Sequence, residues 1–162
     1  MTPQDYMREL GERLQADGCD PQWDTSAAPF LIGRRADFKV QWMATRMHLF
    51  TIAAVVPEAA LAGLEQFTDF ALNTAIDRKK GLARGLQTGL AVFPVLISDR
   101  VDPEALRRAA VWQKVRFACM GRPTVVDTAN RLVGTYRRIP VVGAMYGPYL
   151  RRKSEQYFPV PE

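Results

Sequence analysis

The sequence has few of the residues that most often carry out chemistry. Its 162 residues include two cysteines, Cys19 and Cys119, and one histidine, His48. Two cysteines a hundred positions apart exclude a disulfide-bonded scaffold, and we expect two free thiols in a reducing compartment. A single histidine with no close pair of thiols has none of the spacings typical of a zinc site. We therefore expect no metal and no other cofactor.

Long apolar runs are also missing. The longest, residues 49–57 and 89–98, are far shorter than the roughly 20 residues of a membrane-spanning helix. The first ten residues mix acidic and basic side chains without an apolar block, so no signal peptide is predicted. These absences and the free thiols predict a cytoplasmic protein without a transmembrane segment, and they do not favour peripheral membrane contact.

A phosphate-binding loop is not encoded either. Gly81, Gly85 and Gly89 lie close together, but no Gly-Lys-Ser/Thr sequence follows them. A predicted strand comes next, whereas a phosphate-binding loop precedes a helix. We interpret this stretch as a connector.

The sequence does contain enough apolar material for one core. Hydrophobic residues make up 48% of the chain and charged residues 24%. A chain of this length buries roughly 70% of its unfolded surface, which is sufficient without disulfides. We predict a single globular domain over residues 1–158 and a loose tail at residues 159–162.

The first half of the chain alternates between helix and strand signals. Thr2, Pro3 and Asp5 form a helix start with a capping box, and Gly18 ends that helix. A polar loop is predicted at residues 19–29. Three strands are predicted next, at residues 29–32, 37–43 and 46–56, with residues 33–36 between the first two. A long helix with one apolar stripe then covers residues 58–80.

The second half continues the pattern. We predict a strand at residues 90–97, a helix from a cap at Asp102 to about Lys114, and a strand at residues 115–120. A strand pair and two short helical pieces follow, at residues 124–127, 131–136, 141–146 and 148–157. The fold class is therefore α+β with α/β-like character: a central mixed sheet flanked by helices, in the order αβββαβαβ, plus a C-terminal strand pair and a helical tail.

Over the first 120 residues this order resembles that of the restriction-endonuclease-like fold. The resemblance is one of element order, without a shared sequence motif. It implies an acid near the start of the second core strand, where Asp37 lies by analogy, and an acid-x-lysine pair in the third, which hold Mg²⁺ and activate water. Residues 47–52 of the third strand contain no Asp, Glu or Lys, so the nuclease site is predicted to be absent or degenerate.

A thiol enzyme is a different hypothesis. Cys119, at the end of a predicted strand, would be its nucleophile, and His48 would be the general base. Buried cysteines in strands are common, and a lone histidine between apolar residues is more often structural. We therefore assign no catalytic residue and keep Cys119, His48 and Asp37 as candidates, to be judged by whether they meet Asp127 in one pocket.

Positive charge is concentrated in the C-terminal half. Residues 1–81 carry nine basic and eleven acidic side chains, a net charge of −2, whereas residues 82–162 carry thirteen and six, a net charge of +7. Arginine accounts for 17 of the 22 basic residues, and its planar fork suits phosphate and carboxylate. Near the C-terminus, cations alternate with aromatic residues, as in nucleic-acid grooves. The candidates for anion or nucleic-acid binding are Arg137, Arg138, Tyr149, Arg151, Arg152 and Lys153.

These observations predict a non-catalytic binding or interaction domain, with a protein partner or with self-association as a homodimer. The first alternative is a nucleic-acid-associated protein with a degenerate nuclease-like core, and the second is the thiol enzyme. The basic C-terminal segment has its own structural alternative, in which its aromatic residues pack on the domain's core while the cations remain in water.

Overall fold

The protein is represented by a computed structural model that describes residues 1–26, 28–39, 45–79, 88–116, 119–138 and 144–162. Helices and strands alternate through these ranges. They are α1 Pro3–Ala16, β1 Gln22–Asp24, β2 Phe30–Lys39, β3 Thr45–Val55, α2 Leu61–Arg78, β4 Thr88–Ser98, α3 Pro103–Val111, β5 Lys114–Arg116, β6 Cys119–Gly121, β7 Thr124–Asp127, β8 Leu132–Gly134 and α4 Gly147–Tyr157.

The strands form one mixed sheet, as predicted. β1, β2 and β3 are antiparallel neighbours, and β4 lies parallel to β3 because α2 carries the chain back across the sheet between them. On its other side β4 pairs in parallel with β6 and then with β7, which follow one another along the same edge. The short strands β5 and β8 are antiparallel to β6 and β7 and lie outside them.

Alternating side chains of the sheet contribute to two separate apolar layers. Met47, Leu49 and Ala53 pack with α1 and α4 on one face, whereas Phe50 and Ile52 pack with α2 and α3 on the other. We call these the α1/α4 face and the α2/α3 face. Because β3 and β4 are covered on both faces, their sequences are almost continuously apolar, which confirms the interpretation of those runs as covered strands.

The helix starts follow the predicted capping chemistry. The hydroxyl of Thr2 accepts a hydrogen bond from the Asp5 main-chain N–H at 3.1 Å, and the Asp5 carboxylate accepts one from the Thr2 N–H at 3.2 Å. Asp102 caps α3 by accepting from the Glu104 N–H at 2.9 Å. Both helices also have proline in the first turn, so local sequence alone determines where they begin.

Residues 33–36 separate two predicted strands, but in the structure they continue β2 without a break. Gly33 is inside the strand because α1 approaches the sheet closely there: a Cβ at this position would lie 2.9 Å from the Leu14 side chain. Gly121 lies beneath α2 in the same way, and a Cβ there would lie 2.9 Å from Leu72. These glycines therefore mark close helix–sheet contacts, and Gly33 does not end a strand.

Three other boundaries differ from the predictions. Part of the predicted loop at residues 19–29 is β1, which pairs with the first residues of β2. α2 begins at Leu61 instead of residue 58, because Ala59 bridges to Val101 and its N–H donates to the Arg100 carbonyl. The predicted strand at residues 115–120 is two antiparallel strands, β5 and β6. These differences arise from pairing between distant segments, which local periodicity does not encode.

The C-terminal segment ends in helix, as predicted for residues 148–157. A short 3₁₀ helix at Ala144–Tyr146 runs into α4, and residues 141–143 of the first predicted piece lie outside the described residues. The Tyr6 hydroxyl donates to the Pro159 carbonyl oxygen at 2.8 Å. Among the described helices, none is both long enough and apolar enough to cross a membrane.

Candidate anion-binding site

The four residues whose convergence would have indicated catalysis lie apart. Asp37 is on the α1/α4 face of β2, whereas His48 and Cys119 are on the α2/α3 face. Asp127 ends β7 and accepts hydrogen bonds from the Asn130 N–H and side-chain amide, at 2.9 and 2.8 Å. These bonds make Asp127 a turn residue after β7.

His48 and Cys119 share one face of the sheet but are not neighbours. Both are in register with Leu90 of β4, one on each side of it, so two strand spacings, about 10 Å, separate their backbones. A thiol and its general base need direct contact. The arrangement of these strands gives no support to the thiol-enzyme hypothesis.

The imidazole of His48 is 3% exposed. Within the described part of the chain its Nδ1 has no hydrogen-bond partner. Burial lowers its pKa, and the positive charges of Lys79, Arg34 and Arg46 lower it further. His48 is therefore a neutral side chain held in a positive field. Nowhere in the described ranges do three or more His, Cys, Asp or Glu side chains gather as a metal site would require.

Asp37 belongs to a group of polar side chains that joins the end of α1 to β2 and α4. We call this group the Asp17 cluster; it consists of Asp17, Arg35, Asp37, Tyr149, Lys153 and Tyr157. Arg35 donates to both carboxylates, with its Nε 2.6 Å from Asp37 Oδ2 and its Nη1 2.5 Å from Asp17 Oδ2. Lys153 donates to both Asp17 oxygens at 2.8 and 2.6 Å, and the hydroxyls of Tyr157 and Tyr149 donate to Asp17 and Asp37.

The cluster is balanced in charge and tightly coupled. Burial by itself raises the pKa of Asp17, but the hydrogen bonds from Lys153, Tyr157 and Arg35 outweigh it and lower the pKa to about 2. Burial and the adjacent Asp37 carboxylate raise the pKa of Tyr149. Two carboxylates offset two cations here, so Tyr149 and Lys153, both predicted to bind an anion, are used inside the protein to hold α4 against the sheet.

Three of the predicted anion-binding arginines do converge. Arg137 and Arg138, after β8, and Arg151 of α4 line a cavity of about 300 Å³. A fourth guanidinium, that of Arg122, lies at its floor, and we call this cavity the arginine pocket. Its remaining lining residues are Tyr136, Ala144, Gly147 and Pro148. Arg152, although adjacent to Arg151, does not line it.

Arg122 is positioned by a break in the sheet. It lies between β6 and β7, where its main-chain N–H donates to the Val92 carbonyl oxygen of β4 at 2.9 Å. Pro123 follows and restricts it to an extended conformation. Strand alternation puts Gly121 under α2, so the next side chain, that of Arg122, extends to the α1/α4 face beneath α4.

The Arg122 side chain is only 4% exposed. Its Nε donates to the Gln113 side-chain oxygen at 2.8 Å, and its guanidinium carbon lies 4.8 Å from the centre of the Tyr136 ring. The Nη2 atom is buried and has no hydrogen-bond partner among the described residues. Burial lowers the pKa of this guanidinium, because desolvation disfavours its charged form.

The surroundings add to this positive field. None of the lining residues that the structure describes is a carboxylate. Arg151 forms an ion pair with Glu155 at 3.0 Å, and both of those side chains are well exposed. Gly147 and Pro148 are the first two residues of α4, which starts without a side-chain cap, so the positive end of the helix dipole faces the pocket. The pocket is therefore suited to an anion by four guanidinium groups and one helix end.

The sequence pattern missed Arg122. It lies between a glycine and a proline, in the gap between the predicted strands at residues 115–120 and 124–127, and such triplets are typical of turns. The available signal was an arginine between two covered strand segments, at a position where the alternating pattern requires an inward side chain.

Searches of protein-family models, of curated proteins and of solved structures find no match to this chain.

Proposed function

We propose that this protein is a non-catalytic binding domain and that its ligand is an anion held in the arginine pocket. The observation that carries the proposal is the Arg122 side chain: its Nη2 is buried and has no described partner, and the same residue lines a cavity with three further arginines. A buried charged donor without an acceptor costs several kcal/mol. An anion at this position would supply the acceptor and offset the charge.

The rigidity of Arg122 supports a binding role. Gln113 holds its Nε and the Tyr136 ring supports its plane, so the remaining N–H groups have a fixed direction before a ligand arrives. Arg137, Arg138 and Arg151 are exposed. A donor that is held in place can set the position of an oxyanion, and exposed cations around it add charge-assisted hydrogen bonds.

The nucleic-acid alternative receives less support. Tyr149 and Tyr157, two of the aromatic residues in the predicted groove, are buried in the Asp17 cluster. Arg122 covers a face of the Tyr136 ring, so that face cannot stack on a base. Self-association, a protein partner and a cytoplasmic location stay predictions from the sequence.

The test is anion binding by matched arginine variants. Isothermal titration calorimetry with sodium sulfate, at constant ionic strength set by chloride, measures affinity for the wild type, Arg122→Met, Arg151→Gln and Arg152→Gln. We expect Arg122→Met to lose at least tenfold in affinity, because a hydrogen bond to a charged group contributes about 1.5–3 kcal/mol. Arg151→Gln should lose less, and Arg152→Gln, one residue away but outside the pocket, should bind like the wild type.

Two outcomes would contradict the proposal. One is sulfate affinity that is unchanged in Arg122→Met, since sulfate also stabilises proteins by exclusion from their surfaces without any site. The other is an equal loss in Arg151→Gln and Arg152→Gln, which would indicate screening of general positive charge rather than a pocket.

A further inference from the structure

The identity of the anion can be narrowed from the pocket's charge, shape and aromatic contacts. We propose that it is the phosphate monoester of a small molecule, an inference that rests on the binding function proposed above. Three features of the arginine pocket lead to this ligand class: the number of guanidinium groups, the depth of Arg122 and the covered ring of Tyr136.

The charge of the pocket favours a dianion. Among the described residues, four arginines and no carboxylate line it. A phosphate monoester carries close to two negative charges at neutral pH and has three terminal oxygens as acceptors. A phosphodiester carries one charge and two terminal oxygens, and a carboxylate has one charge in a planar group. The monoester therefore satisfies more of the donors that the pocket presents.

The depth of Arg122 favours a terminal group. Because this residue is 4% exposed, an oxygen that reaches its guanidinium group must belong to a group narrow enough to enter end-on. A phosphodiester within a nucleic-acid strand has chain on both sides of the phosphorus, so it would need two exits. A monoester needs only one, toward the rim formed by Arg137, Arg138 and Arg151.

The size of the pocket limits the rest of the ligand. A cavity of about 300 Å³ is at the small end of the range for small-molecule sites. Beside the arginines, its wall is made of Ala144, Gly147 and Pro148, which leave room for a short organic group. Arg122 covers one face of the Tyr136 ring, so that face is not open to stacking by a nucleobase.

The protein itself has little that titrates here near neutral pH. The described lining residues with ionisable side chains are four arginines and one tyrosine, without a histidine, cysteine or carboxylate among them, and the adjacent Glu155 forms an ion pair with Arg151. His48, the one histidine of the sequence, is on the opposite face of the sheet. A pH dependence of binding in this range therefore reports on the ligand.

The experiment compares methyl phosphate, dimethyl phosphate and sulfate by calorimetry at pH 7.5 and pH 5.0. We expect methyl phosphate to bind at least tenfold more tightly than dimethyl phosphate at pH 7.5. Because the second phosphate pKa is about 6, the dianion falls to about a tenth of the ligand at pH 5.0. Methyl phosphate should therefore lose about tenfold in affinity, while sulfate, a dianion at both pH values, should not.

Variants and a peptide arm separate the outcomes. Binding of methyl phosphate should be lost in Arg122→Met and retained in Arg152→Gln; if Arg122→Met does not fold, the exposed double variant Arg137→Gln/Arg151→Gln replaces it. Equal binding of methyl and dimethyl phosphate that still requires Arg122 would overturn the monoester and leave the anion-binding function intact. A methyl phosphate affinity that is unchanged in every pocket variant would overturn both the monoester proposal and the anion-binding function. A phosphoserine peptide that binds more than tenfold more tightly than methyl phosphate would overturn the small-molecule ligand in favour of a phosphorylated protein.

Discussion

Replacing Asp17 with asparagine tests whether the Asp17 cluster fastens α4 to the rest of the domain. This carboxylate accepts hydrogen bonds from Lys153, Tyr157 and Arg35, and its side chain is 13% exposed. The pKa of Asp17 falls from an ordinary 3.8 to about 2 in the folded protein. Since one pKa unit corresponds to about 1.4 kcal/mol, the ionised carboxylate contributes about 2.5 kcal/mol to stability.

The sign of this contribution determines its pH range. Because the folded-state pKa of Asp17 is below the unfolded-state value, the unfolded chain binds more protons between pH 4 and pH 2. The stabilisation is therefore complete above about pH 5 and is lost as the pH falls through about 2. Asparagine cannot ionise, so Asp17→Asn should lack this component at every pH.

Urea unfolding followed by circular dichroism measures the effect. At pH 7 we expect Asp17→Asn to unfold with a free energy about 2.5 kcal/mol below that of the wild type, and we expect the difference to shrink as the pH approaches 2. The control is Asp99→Asn, an exposed carboxylate whose loss should change stability by less than about 0.5 kcal/mol. A difference under about 0.5 kcal/mol for Asp17→Asn at pH 7, or one that does not vary with pH, would refute the reasoning.

Two further predictions concern buried positions outside the arginine pocket. Burial and nearby cations lower the pKa of His48 from 6.5, so the unfolded chain takes up a proton more readily than the folded one. The wild type should therefore lose stability as the pH falls from 7.5 to 5, and His48→Leu should lose less over the same range in urea titrations. An equal change in unfolding free energy with pH for the two proteins would contradict this. A Cβ on Gly134 would lie 2.5 Å from a carbonyl oxygen of α3, so Gly134→Ala should destabilise by about 2–3 kcal/mol. Its matched control, Gly63→Ala in α2, meets nothing within 4 Å and should stabilise by about 0.5–1 kcal/mol; thermal unfolding that ranks the two in the opposite order would be inconsistent with the packing described.

Much of the fold could be predicted from local pattern. The capping box at Thr2 and Asp5, the cap at Asp102 and the near-continuous apolar runs of β3 and β4 are short-range signals. Each depends on side chains within a few residues of one another, so the pattern is complete in the sequence. The mixed sheet and the order of its elements followed from those signals.

The candidate site could be predicted only in part. Arg137, Arg138 and Arg151 were recognised as anion-binding candidates because arginine clusters are visible in sequence. Tyr149 and Lys153 lie in the same stretch of cations and aromatic residues in the sequence, yet in α4 their side chains donate hydrogen bonds to Asp37 and Asp17. The side of a helix that faces the protein depends on what it packs against, and a short segment rich in both aromatic residues and cations does not determine that.

The sequence by itself therefore determined the segments: where α1 and α3 begin, which strands are covered on both faces, and that positive charge gathers in the C-terminal half. Only the tertiary structure decided which of those charges meet. Arg122 reaches the other pocket arginines because a break between β6 and β7 and the packing of α4 bring them together. The physical reason is one of range. Helix caps and hydrophobic periodicity depend on residues a few positions apart, so they can be recognised in the sequence. A guanidinium becomes buried without a described partner only when distant segments pack over it, so this feature appears only in the tertiary structure.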